Sequence, residues 1–439
     1  MNSGDTAWMM ISAAIVLLMT PGLALFYGGM VRAKSVLNMM MMSFGALGLV
    51  TILWVFYGYS VAFGNDVGAG LLGNPAEFFG LRGLLAEDAL AGTFPATVFV
   101  VFQGVFAVIT VALISGAIAD RAKFGAWMVF AGLWATLVYF PVAHWVFAFD
   151  GDGGVVGGWI ANDLAAIDFA GGTAVHINSG AAALALALVL GKRIGWRKDP
   201  MRPHNLTLVM LGAALLWFGW FGFNAGSAVA ADNIAGVAFV NTFAAAAAAC
   251  LAWLLIEKIR DGHATTLGAA SGIVAGLVAI TPACSAVSPV GAIVVGLIAG
   301  ALCAGAVGLK YKLGYDDSLD VVGIHLVGGL WGTISVGFLA TAAAPAAVDG
   351  LFYGGGVDQL WRQAVGAVAV MVFSFVVAWI LGFIIDKTMG FRVSKEVEVE
   401  GVDQAVHAET AYDLLTSGGG SYSPDPARTS ATKSEEVSA

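Results

Sequence analysis

Residues 168–190 read DFAGGTAVHINSGAAALALALVL. The stretch is long and apolar enough to cross a bilayer core as a helix, yet it sets His176 among glycines and alanines. An imidazole in such surroundings costs free energy unless a specific partner satisfies it. The length of the run points to the fold class, and its histidine poses the functional question.

Similar runs recur along the chain, of which 59% of residues are hydrophobic and only 11% charged. Eleven are expected to span: 7–31, 36–63, 94–118, 124–147, 169–190, 205–229, 235–256, 265–281, 289–309, 320–341 and 363–386. They are continuous and do not alternate, which excludes a strand barrel. The expectation is an all-α polytopic membrane protein. The opening MNSGDTAWMM has no basic residue before the first run, so that run reads as a retained span and not a cleaved signal peptide. Cys250, Cys284 and Cys303 lie in or at the ends of apolar runs without metal-ligand spacing and read as packing residues.

An odd number of spans puts the termini on opposite sides. Eighteen of the twenty basic residues fall in the loops after spans 1, 3, 5, 7 and 9 and in the C-terminal segment; only Arg82 and Arg362 lie opposite. The positive-inside rule makes the first set cytoplasmic, with the N-terminus outside and the C-terminus inside. The outer loops are acidic, with Asp66, Glu77, Glu87 and Asp88 among their residues. Any one of these acids reads as a solubilising loop residue, but the whole face enriches small cations and repels anions.

Span 10 carries a second histidine, His325, in SLDVVGIHLVGGLWGT. Asp168 and Asp320 precede the two histidines near the starts of their spans. Spans 1 and 6 share aromatic–glycine clusters, GLALFYGG and FGWFGFNAGS. The offset is five spans each time, an odd number, so the halves are expected to form a five-plus-five inverted repeat with a path at their interface. Matching positions in such a repeat face each other near the midplane. Two imidazoles there form a short proton relay, each offering one donor and one acceptor when neutral. The bland alternative, a core histidine bonded to a carbonyl, is less suited to two histidines in matching positions. A metal site lacks carboxylate or cysteine ligands at the right spacing. His144, His204, His263 and His407 read as solvated or capping residues.

DFAGGTAVHIN, FGFNAGSA, AFVNT, SLDVVGIH and FQGVFA, in this order along Pro21 to about Tyr412 apart from the last, which lies in span 3, together resemble the ammonium transporter family (Amt/MEP, related to Rh proteins). The resemblance implies a homotrimer whose subunits each hold eleven spans and a pore. Its twin pore histidines are His176 and His325, and its phenylalanine gate is Phe106 and Phe223. Its outer ammonium site comprises Ser227 and Phe106, with Asp168 buried behind it and Phe147 at the place of a family tryptophan. The segment YFPVAHWVF, 139–147, departs from the family pattern there, and Trp145 two residues earlier is a supporting residue whose helical face differs from that of Phe147. Phenylalanine is the weaker cation–π partner. Asp320 is taken as the second supporting residue.

The activity so implied is ammonium uptake across the cell membrane. Ammonium, with methylammonium as an alternative cargo, is collected outside and deprotonated, and ammonia crosses the apolar lumen, with net charge movement. The alternatives are an ammonium sensor and an electroneutral gas channel. An intramembrane enzyme lacks any Ser–His, paired-aspartate or HExxH signature within a span. No cofactor, metal or nucleic acid is implied. The chain divides into a transmembrane domain, 1–389, a cytoplasmic regulatory region, 390–415, and a Ser/Gly/Pro-rich tail, 416–439, expected to be disordered. The family resemblance also implies a PII-type signalling protein docking at the cytoplasmic face.

Overall fold

A computed structural model describes residues 1–151 and 154–412. The tail expected at 416–439 lies outside the described residues. Among the described residues eleven apolar helices follow one another: α1 Ser3–Met30, α2 Ala33–Phe63, α3 Ala96–Ile118, α4 Phe124–Phe147, α5 Gly172–Leu190, α6 Leu206–Gly226, α7 Asn233–Asp261, α8 Thr266–Ile280, α9 Pro289–Leu313, α10 Val322–Leu339 and α11 Asp358–Thr388. Ten have the length and composition to cross a membrane; α8 is apolar but shorter. Two short helices, α12 Lys395–Glu400 and α13 Val402–His407, follow α11. Among the described residues the only paired strands are the two-residue segments Leu90–Ala91 and Phe94–Pro95.

Local chemistry sets the helix starts. Asn2, Asp232, Thr265 and Ser288 accept backbone N–H groups at the first turns of α1, α7, α8 and α9, and Pro289 occupies the first turn of α9. Against the expected limits, α11 starts earlier, at Asp358, and α7 ends later, at Asp261, whereas α5 starts later, at Gly172, because Asp168 and the left-handed Gly171 shape a turn first.

The repeat partners α1 and α6 pack against each other most extensively of all helix pairs. Glycines make this close approach feasible: a Cβ at Gly212 would lie 2.4 Å from the Phe26 backbone nitrogen. Both α5 and α10 open with a wide π-type turn, Gly172–Ile177 and Val322–Leu326, and each turn carries one of the two histidines. Such turns are rare and concentrate at functional sites. The start of α5 lines the same cavity as the C-terminal ends of α4 and α6, whereas the approach to α10 lines a cavity with the C-terminal end of α1 and the residues after α5. The two half-repeats therefore enter the centre from opposite ends, which we call the vestibule end and the tail end.

Candidate pore

At the vestibule end, a cavity of about 730 Å³ is lined by Phe147, Asp168 and Ser227. Ser227 follows the last turn of α6, and its hydroxyl donates to the Phe223 carbonyl at 2.8 Å. The donor is thus spent, and the oxygen lone pairs remain for a cationic donor. The Asp168 carboxylate accepts four backbone N–H groups at the start of α5: Gly171 at 2.9 Å, Gly172 at 2.6 Å, Thr173 at 2.8 Å and Ala174 at 2.9 Å. Gly171 makes this wrap feasible with φ of 115°, where a Cβ would strike Val175 at 2.5 Å.

Phe147, not Trp145, faces this cavity. The Trp145 indole donates to the Leu71 carbonyl at 2.8 Å, and the ring packs on Trp159 and Phe373. Phe106 stands deeper, stacked on Phe223 with ring centroids 4.0 Å apart and planes 20° from parallel. Phe223 continues towards His176, whose ring is 6.2 Å away.

Below the stack lies a narrow lumen of about 10 Å³, at the lower limit for one water molecule, lined by apolar side chains and by Trp220, His176 and His325. The two histidines are buried and their Nδ1 atoms are 3.2 Å apart. One ring must donate and the other accept, so a single proton is shared along that contact. The outer ring nitrogen of His176, Nε2, is buried without a hydrogen-bond partner.

Two close crossings hold the pair. Gly180 sits against the Leu326 backbone nitrogen, 2.5 Å from where a Cβ would be, and Gly329 sits against His176 Cβ at 3.1 Å. Trp220, which the sequence reasoning did not single out, stacks on His176 at 5.3 Å and 21°. Its indole is fixed by a 2.8 Å bond to the Thr281 hydroxyl. The available signal was its position three residues before Phe223, on the same helical face.

Three expectations need correction. Asp320 is not the counterpart of Asp168. Asp317 is: it stands eight residues before His325, as Asp168 stands eight before His176, and its carboxylate accepts Val321 N–H at 3.1 Å and Val322 N–H at 2.8 Å. Asp320 instead pairs with Lys310 at 2.6 Å. Trp145 supports the loop at Leu71 and does not enter the vestibule. His144 is not solvated but wholly buried, with Nδ1 3.0 Å from the Ala62 carbonyl and Nε2 3.3 Å from Asp66.

His204 and His407 join the C-terminal segment to the helices, His204 through Tyr412 at 2.8 Å and His407 through Asn38 at 3.0 Å. Among the described residues, no three His, Cys, Asp or Glu side chains converge as a metal site.

At the tail end the basic loops meet acids. Arg193 bonds Asp316 at 2.9 Å and Asp120 at 2.9 Å. Burial pushes the Asp316 carboxyl up, but the hydrogen bond and charge of Arg193 outweigh it and hold it below the usual carboxylate range. Burial brings the Arg121 guanidinium down to about 10, although Ser318 and the carbonyls of Ala117, Ala119 and Asp316 accept from it. The chain beyond α11 closes over this end. Asp403 accepts Leu37 N–H at 2.9 Å and Asn38 N–H at 2.8 Å, and Glu398 pairs with Arg392 at 2.7 Å.

Residues 7–412 match the Ammonium Transporter Family. An ammonium transporter of Mycobacterium bovis is 63% identical, over 96% of this chain and 93% of that relative. The crystal structure of Saccharomyces cerevisiae Mep2 superposes with a TM-score of 0.82 at 36% identity, covering 90% of this chain and 88% of that one. A structure described as a sensor Amt protein gives a TM-score of 0.83 at 30% identity, covering 92% and 98%.

Proposed function

The chain belongs to the ammonium transporter family, a family of multi-pass membrane transporters and not of enzymes, and on that premise we propose that it takes up ammonium by separating it into ammonia and a proton. One observation carries the reading: the stacked Phe106–Phe223 pair stands between the Ser227 vestibule and a lumen in which His176 and His325 share a 3.2 Å contact. The vestibule end faces outside and the tail end the cytoplasm, in keeping with the basic loops gathered at the tail end.

An ammonium ion carries four donors. At the vestibule it donates to the Ser227 oxygen and lies against the faces of Phe147 and Phe106. Asp168, occupied by four amides, acts from behind by its charge. Taking the bare cation into the lumen would cost several kcal/mol in lost hydration, a cost that neutral ammonia largely avoids. The proton leaves near the phenylalanine stack and passes along the imidazole pair, so that charge crosses with each ammonia. The unpartnered Nε2 of His176 is the atom available to exchange it.

Subunits assemble as trimers, with a PII-type protein closing the tail-end mouth. The likeness to a sensor Amt protein favours a second reading, in which occupancy of the vestibule is itself reported to the cell. Current from the reconstituted protein on a solid-supported membrane, after an ammonium jump without a pH gradient, tests the proposal. A saturable current absent with sodium or potassium, and lost in His176→Ala and His325→Ala, is expected. Undiminished current in both variants sinks the relay, and pH change without current leaves a gas channel.

A further inference from the structure

We propose that Lys310 is a resident ammonium group that occupies an acceptor cradle at the tail-end mouth, and so keeps the transported ion from being held there. The inference rests on the transport reading above. Its starting point is an asymmetry between two otherwise matched carboxylates. Asp168 and Asp317 each lie eight residues before a lumen histidine, and each accepts backbone N–H groups at the opening turn of its helix. Around Asp168, no Lys, Arg or His among the described residues comes within ion-pair distance. The Asp317 carboxylate has no such partner either, but the Lys310 ammonium stands beside it, donating to the Asp317 backbone carbonyl at 2.9 Å and pairing with Asp320 Oδ1 at 2.6 Å.

The placement is deliberate in physical terms. Lysine is seldom buried, yet the Lys310 side chain is only 9% exposed. Its stem lies in the last turn of α9 and its head reaches the wall of a cavity of about 510 Å³, where Ser318, Leu319 and Asp320 line the approach to α10. A side-chain ammonium and a free ammonium ion present the same kind of donor head. A carbonyl and a carboxylate at these distances would take either one. At the vestibule no tethered cation stands beside the Asp168 turn, whereas at the tail end the acceptors beside the Asp317 turn, its backbone carbonyl and the Asp320 carboxylate, are already filled by one. The ion re-formed there meets no vacant acceptor set and leaves.

The test is ammonium flux into oriented proteoliposomes with ammonium varied on the tail side. In the wild type, the concentration that half-saturates flux from the vestibule side should be at least about tenfold below the tail-side concentration that halves it. Equal values would overturn the proposal without any variant. Lys310→Ala empties the cradle and should lower the tail-side half-inhibiting concentration about tenfold. Lys310→Arg, which returns a cation, should restore it. A drop in maximal flux with that concentration unchanged would mean that Lys310 only braces the loop, and would overturn the proposal. Lys310→Met keeps the stem packed should the alanine variant not fold, and it carries the same expectation as Lys310→Ala. Absence of any wild-type flux would instead overturn the transport reading.

Discussion

Ser227 and Phe147 both line the vestibule cavity, and the proposed uptake gives each a different kind of contact with the ion. If the Ser227 oxygen accepts from the ion as proposed, Ser227→Ala removes a charge-assisted hydrogen bond worth about 1.5–3 kcal/mol. Half-saturation should rise about tenfold or more, with maximal flux changing less. Phe147 lines the cavity where a tryptophan's larger quadrupole would hold a cation better. Phe147→Trp should tighten half-saturation roughly two- to fivefold, as about 0.5–1 kcal/mol implies. An unchanged value would mean that the ring faces the cavity without touching the ion. At this scale the histidines were legible because each stands well inside an apolar run, past the aspartate at its start. Asp317 was not, because Asp316, Asp317 and Asp320 crowd one turn and only the count of eight to His325 separates them. His144 was hidden by distance, since Ala62 and Asp66, which surround it, lie about eighty residues earlier.

Helices α5 and α10 meet through backbone, not through long side chains. A Cβ at Gly180 would stand 2.5 Å from the Leu326 nitrogen, and main chain cannot swing aside as a side-chain tip can. Gly180→Ala should therefore cost about 1–3 kcal/mol by overpacking and part the histidines. Flux per folded molecule should fall together with the melting temperature. A variant that loses stability but keeps full flux would show that the 3.2 Å contact is incidental. Hydropathy was enough to find these spans, and Phe124–Phe147 matches its expected limits to the residue. What it missed were the wide turns at the two histidines. A π-type turn leaves no mark in composition, and it becomes visible only when Asp168 and Asp317 are seen wrapped by the amides that follow them.

The tail end of the whole molecule is tied together by charge. Asp316 bonds Arg193, and α13 reaches back to the start of the α2 helix through Asp403. Removing one partner from a buried pair costs about 3 kcal/mol, which sets the expectation for Asp316→Ala. Because the folded state holds the Asp316 carboxyl below its ordinary value, its contribution is full above about pH 4 and is lost as pH falls through the depressed value. The gap in melting temperature between wild type and Asp316→Ala should thus stay level from pH 8 to 5 and narrow only in stronger acid. A gap already closing near pH 6 would contradict the assigned pairing. The positive loops were legible in the sequence as an orientation signal, but not their acidic partners, which come from segments as far apart as Asp120 and Asp316. The histidine contact joins residues 149 positions apart, and this bears on how the chain is made. At about 5–20 residues per second, roughly 7–30 s pass between the synthesis of His176 and that of its partner. Throughout that interval His176 Nδ1 lacks the partner it has in the finished chain, so the contact at the centre of the proposed path is completed only once the second half has been made.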